Sequence, residues 1–121
     1  MDATDLLVWG IVAHLVCDWL LQNEWMAVNK VSLRHPAAYV HAGIHGIGLA
    51  LVFGWIAIPL AVSHLLIDTR KPVAWWSRTI RQTQPDPTRF PLMDLGTDVR
   101  IWVDQVFHIL AVAIVALIVA A

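Results

Sequence analysis

Long apolar runs interrupted by single polar residues dominate the chain, and they predict four helical segments. The first runs from about Leu6 to Asn23, with His14, Asp18 and Gln22 set among Leu, Val, Trp and Ile. The second starts at Pro36, a favoured first helical residue, and reaches Gly54. The third starts near Ile58 or Pro59, and Pro72 follows Lys71 at its end. It reaches spanning length only by continuing past Pro72, with a kink, into Val73-Ala-Trp-Trp. The fourth ends in the wholly apolar stretch Ile109 to Ala121. The expected architecture is one all-α transmembrane domain over 1–121, with helices at about 5–24, 36–54, 58–76 and 98–121 and a loop at about 77–97. At a rise of about 1.5 Å per residue, roughly 17 to 25 residues cross a bilayer. Gln84 to Pro91 carries three prolines, which preclude a regular helix there. Trp75, Trp76, Arg78 and Arg81 before it suggest an interfacial stretch.

Composition supports lipid as the solvent. The hydrophobic fraction is 59%, the mean hydropathy is +0.66 and only 14% of residues are charged, against about a quarter in soluble domains. A formal charge of −1 gives no sign of a nucleic-acid partner. The single cysteine, Cys17, excludes an intrachain disulfide and a thiolate-rich metal site, and is expected to pack as a small apolar residue. The N-terminus lacks the basic stretch of a cleaved signal peptide, so the first apolar segment is expected to be retained.

Lys30, Arg34, Arg70, Lys71, Arg78, Arg81, Arg89 and Arg100 all fall in or beside the first and third connections. In a four-span chain those connections share one side. The positive-inside rule makes that side cytoplasmic and places both termini outside, in a multi-pass protein.

Each segment also holds two polar residues four apart: His14 and Asp18, His41 and His45, His64 and Asp68, Asp104 and His108. Such pairs share a helix face, with Cβ atoms roughly 5–6 Å apart. Counted from the expected cytoplasmic ends, all eight fall in a band roughly 5–16 Å from that face. Ionisable groups at such depth usually face a bundle interior and mark a site. Imidazole and carboxylate together suit Zn, Mn or non-haem Fe, and the set is large enough for one or two ions. A metal-bound water could then serve as nucleophile. Gln22, Gln105, Lys30, Arg70 and Lys71 are candidates for supporting these groups or for orienting an anionic substrate. The blander alternative is a hydrogen-bonded polar core that only ties helices together. His35, before Pro36, reads as a loop residue. Gly43, Gly46 and Gly48 suit a close helix approach.

The ordered set His14-x-x-x-Asp18-Trp19-x-x-Gln22, Lys30, His41 and His45, Ser63-His64-x-x-x-Asp68-x-x-Lys71, and Asp104-Gln105-x-x-His108 resembles an uncharacterised family of small bacterial and phage membrane proteins. The resemblance covers nearly the whole chain and implies a bacterial inner-membrane location. The chain is also loosely similar to inner-membrane metal-dependent hydrolases. That similarity implies hydrolysis of a lipid-linked or membrane-delivered substrate. Rival readings are an accessory subunit of a homo-oligomer or larger membrane complex, a haem or chlorophyll-type cofactor subunit, and a transporter.

Overall fold

The structure is a computed structural model that describes residues 1–81 and 95–121, with side chains described for 1–81 and 101–121. The proline-rich stretch expected over Gln84 to Pro91, and with it Arg89, lies outside the described residues. The described residues form six α-helices and no strand: α1 (Ala3–Leu15), α2 (Glu24–Asn29), α3 (Pro36–Phe53), α4 (Ala57–Ile67), α5 (Lys71–Thr79) and α6 (Leu95–Ala120).

Local chemistry sets the ends. Asp2 caps α1 by accepting from the Asp5 amide at 2.9 Å, and the Asp5 carboxylate returns the contact to the Asp2 amide. After Leu15 the helix widens into a π turn over Val16–Leu20, closed by Leu21 N–H to Val16 C=O at 3.1 Å. The chain then breaks, because the Asn23 side chain takes the Met26 amide and starts the short α2. The helix expected over 5–24 is therefore a helix, a π turn and the start of a second helix. His35 is the N-cap of α3, its Nδ1 accepting from the Ala37 amide at 3.1 Å, and Pro36 follows.

Gly54 ends α3 at φ +62°, ψ −143°, a conformation open to glycine. A single 3₁₀ turn over Gly54–Ile56 then reverses the chain, so α4 packs antiparallel to α3. The third segment does not run through Pro72. A proline ring there would meet the carbonyl of Asp68 four residues back, and the helix ends at Ile67 instead. Arg70 turns the chain with a left-handed backbone (φ 63°), and Pro72 sits in the first turn of α5. The helix expected over 58–76 is thus two helices, and α5 runs on to Thr79. Val73 and Ser77, four apart, form the buried face of α5, while Trp75 and Trp76 stay exposed.

Three stretches are long and apolar enough to cross a membrane: Ala3–Leu20, Pro36–Ile67 and Ile101–Ala120. The 32-residue middle stretch is the folded α3–α4 pair. The outer surface is apolar, with Leu51 85% and Trp55 80% exposed.

Inside, the bundle divides into two layers. One is a hydrocarbon core of Leu6, Leu49, Phe53, Leu60, Val112 and Ala116, near the α3–α4 turn and both termini. The other is polar and lies towards the opposite end. Two glycines fix how closely the helices approach. A Cβ on Gly10 would lie 2.6 Å from Val112 Cγ1, so α1 meets α6 there without a side chain between. A Cβ on Gly48 would lie 2.7 Å from Cys17 Sγ, which makes Cys17 the buried knob against α3. Gly46 faces Ala61 on α4, whereas Gly43 faces open space.

Candidate metal centre

Four helical segments each deliver their polar pair to one place. His14 closes α1 and Asp18 sits in the π turn, a local widening frequent at functional sites. His41 and His45 occupy one face of α3, His64 and Asp68 the end of α4, and Asp104, Gln105 and His108 the inner face of α6. His41 and His45 are 0% exposed and His14 is 1% exposed. Asp18, Asp68, His64, Gln105 and His108 are also buried, and Asp104 is partly open.

Asp18 lies between two sets of partners. Its Oδ1 accepts from His41 Nε2 at 3.0 Å and from His45 Nε2 at 2.9 Å, with His64 Nε2 at 3.7 Å. Its Oδ2 accepts from Gln105 Nε2 at 3.0 Å and faces His14 Nε2 at 3.5 Å. Asp68 is divided in the same way. Oδ2 faces His64 Nε2 at 2.9 Å and His41 Nε2 at 3.3 Å, while Oδ1 faces His108 Nε2 at 3.2 Å and Lys30 Nζ at 3.5 Å. Carboxylates that address separate partners with each oxygen are suited to join two neighbouring positions. Two of the imidazoles also pack face to face: His45 and His64 are stacked at 3.5 Å between centroids.

Three overlapping groups have ligand atoms within 4.8 Å of one another: Asp18, His41, His45 and His64; His14, His64 and His108; and Asp68, Asp104 and His108. All eight polar residues paired in the sequence fall in these groups. An ion with ligands at about 2.0–2.2 Å separates them by roughly 2.9 to 3.6 Å, depending on coordination number. The contacts around Asp18 and Asp68 are of that size.

A cavity of about 360 Å³ abuts the cluster. Asp18, Asp68 and Asp104 line it, together with the polar side chains of Gln22, Lys30, Arg70 and Gln105. Lys71 is exposed and does not line it. Trp19, Ala27, Val73, Ala74 and Ile101, which the polar spacing did not single out, also line it. A wholly apolar groove of about 370 Å³ along α3 and α4 carries no titratable side chain.

A family model for proteins of unknown function, DUF3307, matches residues 6–121. The chain belongs to the DUF3307 family. The match includes every residue of the cluster and meets the expected resemblance to an uncharacterised family. No curated protein and no solved structure matches the chain.

Proposed function

We propose that this DUF3307 protein is a membrane-embedded metal-binding protein that hydrolyses a lipid-linked or membrane-delivered substrate. One relationship carries the reading. His41 Nε2 contacts Asp18 Oδ1 at 3.0 Å and His64 Nε2 at 3.0 Å, while His64 Nε2 contacts Asp68 Oδ2 at 2.9 Å. Each Nε2 carries at most one proton and an ionised carboxylate carries none, so protons satisfy at most two of these three contacts. A shared cation satisfies all three.

Zn, Mn or Fe, as one or two ions, fits this mixed imidazole and carboxylate set. Bound metal lowers the pKa of water enough for hydroxide to attack near neutral pH. A hydroxide supplied in this way would add to the substrate's electrophilic centre, and the proton lost by that water would go to the leaving oxygen. Asp104, with 19% of its side chain exposed at the cavity, is the cluster carboxylate with the best access to water.

In this reading the chain crosses the bacterial inner membrane four times, with α3 as one crossing and α4 together with α5 as the return, both termini outside and the cavity opening to the cytoplasm. The lone glycine turn between α3 and α4 and the placement of all cations away from that turn support it.

A second reading is a non-enzymatic subunit with a hydrogen-bonded polar core. The Nδ1 atoms of His41 and His45, buried without a partner among the described residues, favour it. A metal-bound imidazole normally donates its other N–H to a partner.

Elemental analysis of detergent-purified protein beside the His64→Ala, Asp68→Ala double variant tests the choice. Near-stoichiometric metal that disappears in the folded variant supports the metal centre. No metal in either sample after reconstitution overturns it and leaves the polar core.

A further inference from the structure

The cavity beside the cluster has a charge balance that depends on the metal. Its described lining holds three carboxylates, Asp18, Asp68 and Asp104, against two cations, Lys30 and Arg70. The lining side chains by themselves therefore carry one formal negative charge in excess, which disfavours anions. One divalent ion reverses that sign, and a second makes the wall strongly positive.

Two other features point to a ligand. Gln22 Oε1 is a buried acceptor with no hydrogen-bond partner among the described residues, and its side chain lines the cavity. Arg70 holds a left-handed backbone, a conformation costly for a side-chain-bearing residue and concentrated at ligand clamps. That turn brings Arg70, rather than its neighbour Lys71, to the cavity wall. Lys30 reaches the same wall from beyond the C-terminus of α2, its Nζ 3.5 Å from Asp68 Oδ1. An arginine fork and an ammonium lining one cavity beside a candidate metal centre suit a compact, multiply charged group with several acceptor oxygens. Trp19, Val73, Ala74 and Ile101 supply an apolar side, with Trp19 63% and Ile101 44% exposed. The volume lies within the small-ligand range of about 300–1,000 Å³.

We propose that this cavity is a phosphate site, in which Lys30 and Arg70 hold the phosphate of a phosphoester beside the residues that would ligate the metal. The proposal rests on the metal reading, since without the ion the wall has the wrong sign. Gln22 Oε1 accepts from a hydroxyl of the ligand, and the apolar wall takes the carbon next to the ester.

The test uses the full chain in detergent, stripped of metal and reloaded with Zn²⁺ or Mn²⁺, with metal content measured first. Inorganic phosphate and dihexanoyl phosphatidic acid are then titrated calorimetrically. Binding is expected to the loaded protein alone. Arg70→Gly, which keeps the left-handed turn, and Lys30→Gln, which keeps a polar donor, should each weaken it about tenfold while retaining the metal. Tighter binding of phosphatidic acid assigns a lipid headgroup, and equal or weaker binding assigns a free phosphate species. The phosphate site is overturned if the loaded wild type binds neither probe, if the stripped protein binds as well, or if both metal-retaining variants bind like wild type. A wild type that takes up no metal fails at the first measurement, and that result refutes the metal reading itself.

Discussion

Gln105 joins Asp18 to His14: its Nε2 donates to Asp18 Oδ2 at 3.0 Å and its Oε1 accepts from His14 Nε2 at 2.9 Å. One amide on α6 thus sets the orientation of two groups on the α1 segment. Replacing it with Leu strands both. Gln105→Leu should cost about 1–3 kcal/mol of stability and lower metal affinity about tenfold or more. Metal-binding titrations on the folded variant check this, and unchanged affinity would remove Gln105 from the positioning role.

Metal removal should destabilise the protein. An ion that binds only the folded state adds about 2.7 kcal/mol at a hundredfold excess over its dissociation constant. Chelator treatment should lower the unfolding temperature in detergent, and adding the metal back should restore it. The His41→Ala variant should show no response to either treatment. A wild-type transition that ignores chelator and metal alike would contradict the metal centre.

The contact between Gly48 and Cys17 sets the spacing of α1 and α3. A methyl at position 48 would meet Cys17 Sγ at 2.7 Å. Gly48→Ala should therefore lose about 1–3 kcal/mol through overpacking, against a helix-propensity gain of up to about 1 kcal/mol. Adding Cys17→Ala opens room for the methyl. The double-mutant cycle should show a favourable coupling of about 1 kcal/mol or more. Additive effects would mean that the two helices do not meet at this pair.

Arg70 is held in a left-handed conformation that glycine adopts without steric cost. Arg70→Gly should leave the fold intact and stabilise the turn by up to about 1 kcal/mol, offset in part by the greater freedom of glycine in the unfolded chain. Thermal unfolding of the stripped protein isolates this term from ligand binding. A loss of more than about 1 kcal/mol would show that the side chain supports the fold.

Membrane orientation is open to cysteine labelling on a Cys17→Ala background. On intact cells, an impermeant maleimide should label Trp55→Cys and Ala121→Cys and should not label Ser32→Cys until the membrane is opened. Outside labelling at position 32 would invert the proposed topology. Protection at position 55 with labelling at 121 would argue against α3 and the α4–α5 return as two crossings.

Features that depend on near neighbours in the chain were legible in the sequence. Apolar runs reveal helices that can live in lipid, and a four-residue spacing places His41 with His45, or His64 with Asp68, on one face because the helical repeat is local. Alternating direction then brings the polar pairs to a similar depth. The proline at 72 signalled a disturbance near the end of α4. Its position at Asp68 to Arg70, with Arg70 taking a conformation usually left to glycine, had no local signature.

Tertiary structure decided which groups touch. The spacing pairs His14 with Asp18, but Asp18 makes shorter contacts to His41 and His45 on another helix. Gln105, merely adjacent to a pair in the sequence, becomes the link between His14 and Asp18. Lys30 reaches Asp68, and Arg70 lines the cavity while Lys71 does not. Such contacts depend on the rotation and separation of neighbouring helices. Those are set by close approaches such as Gly10 against Val112 and Gly48 against Cys17. Periodicity along one helix specifies which face points inward, and only packing between helices specifies what that face meets.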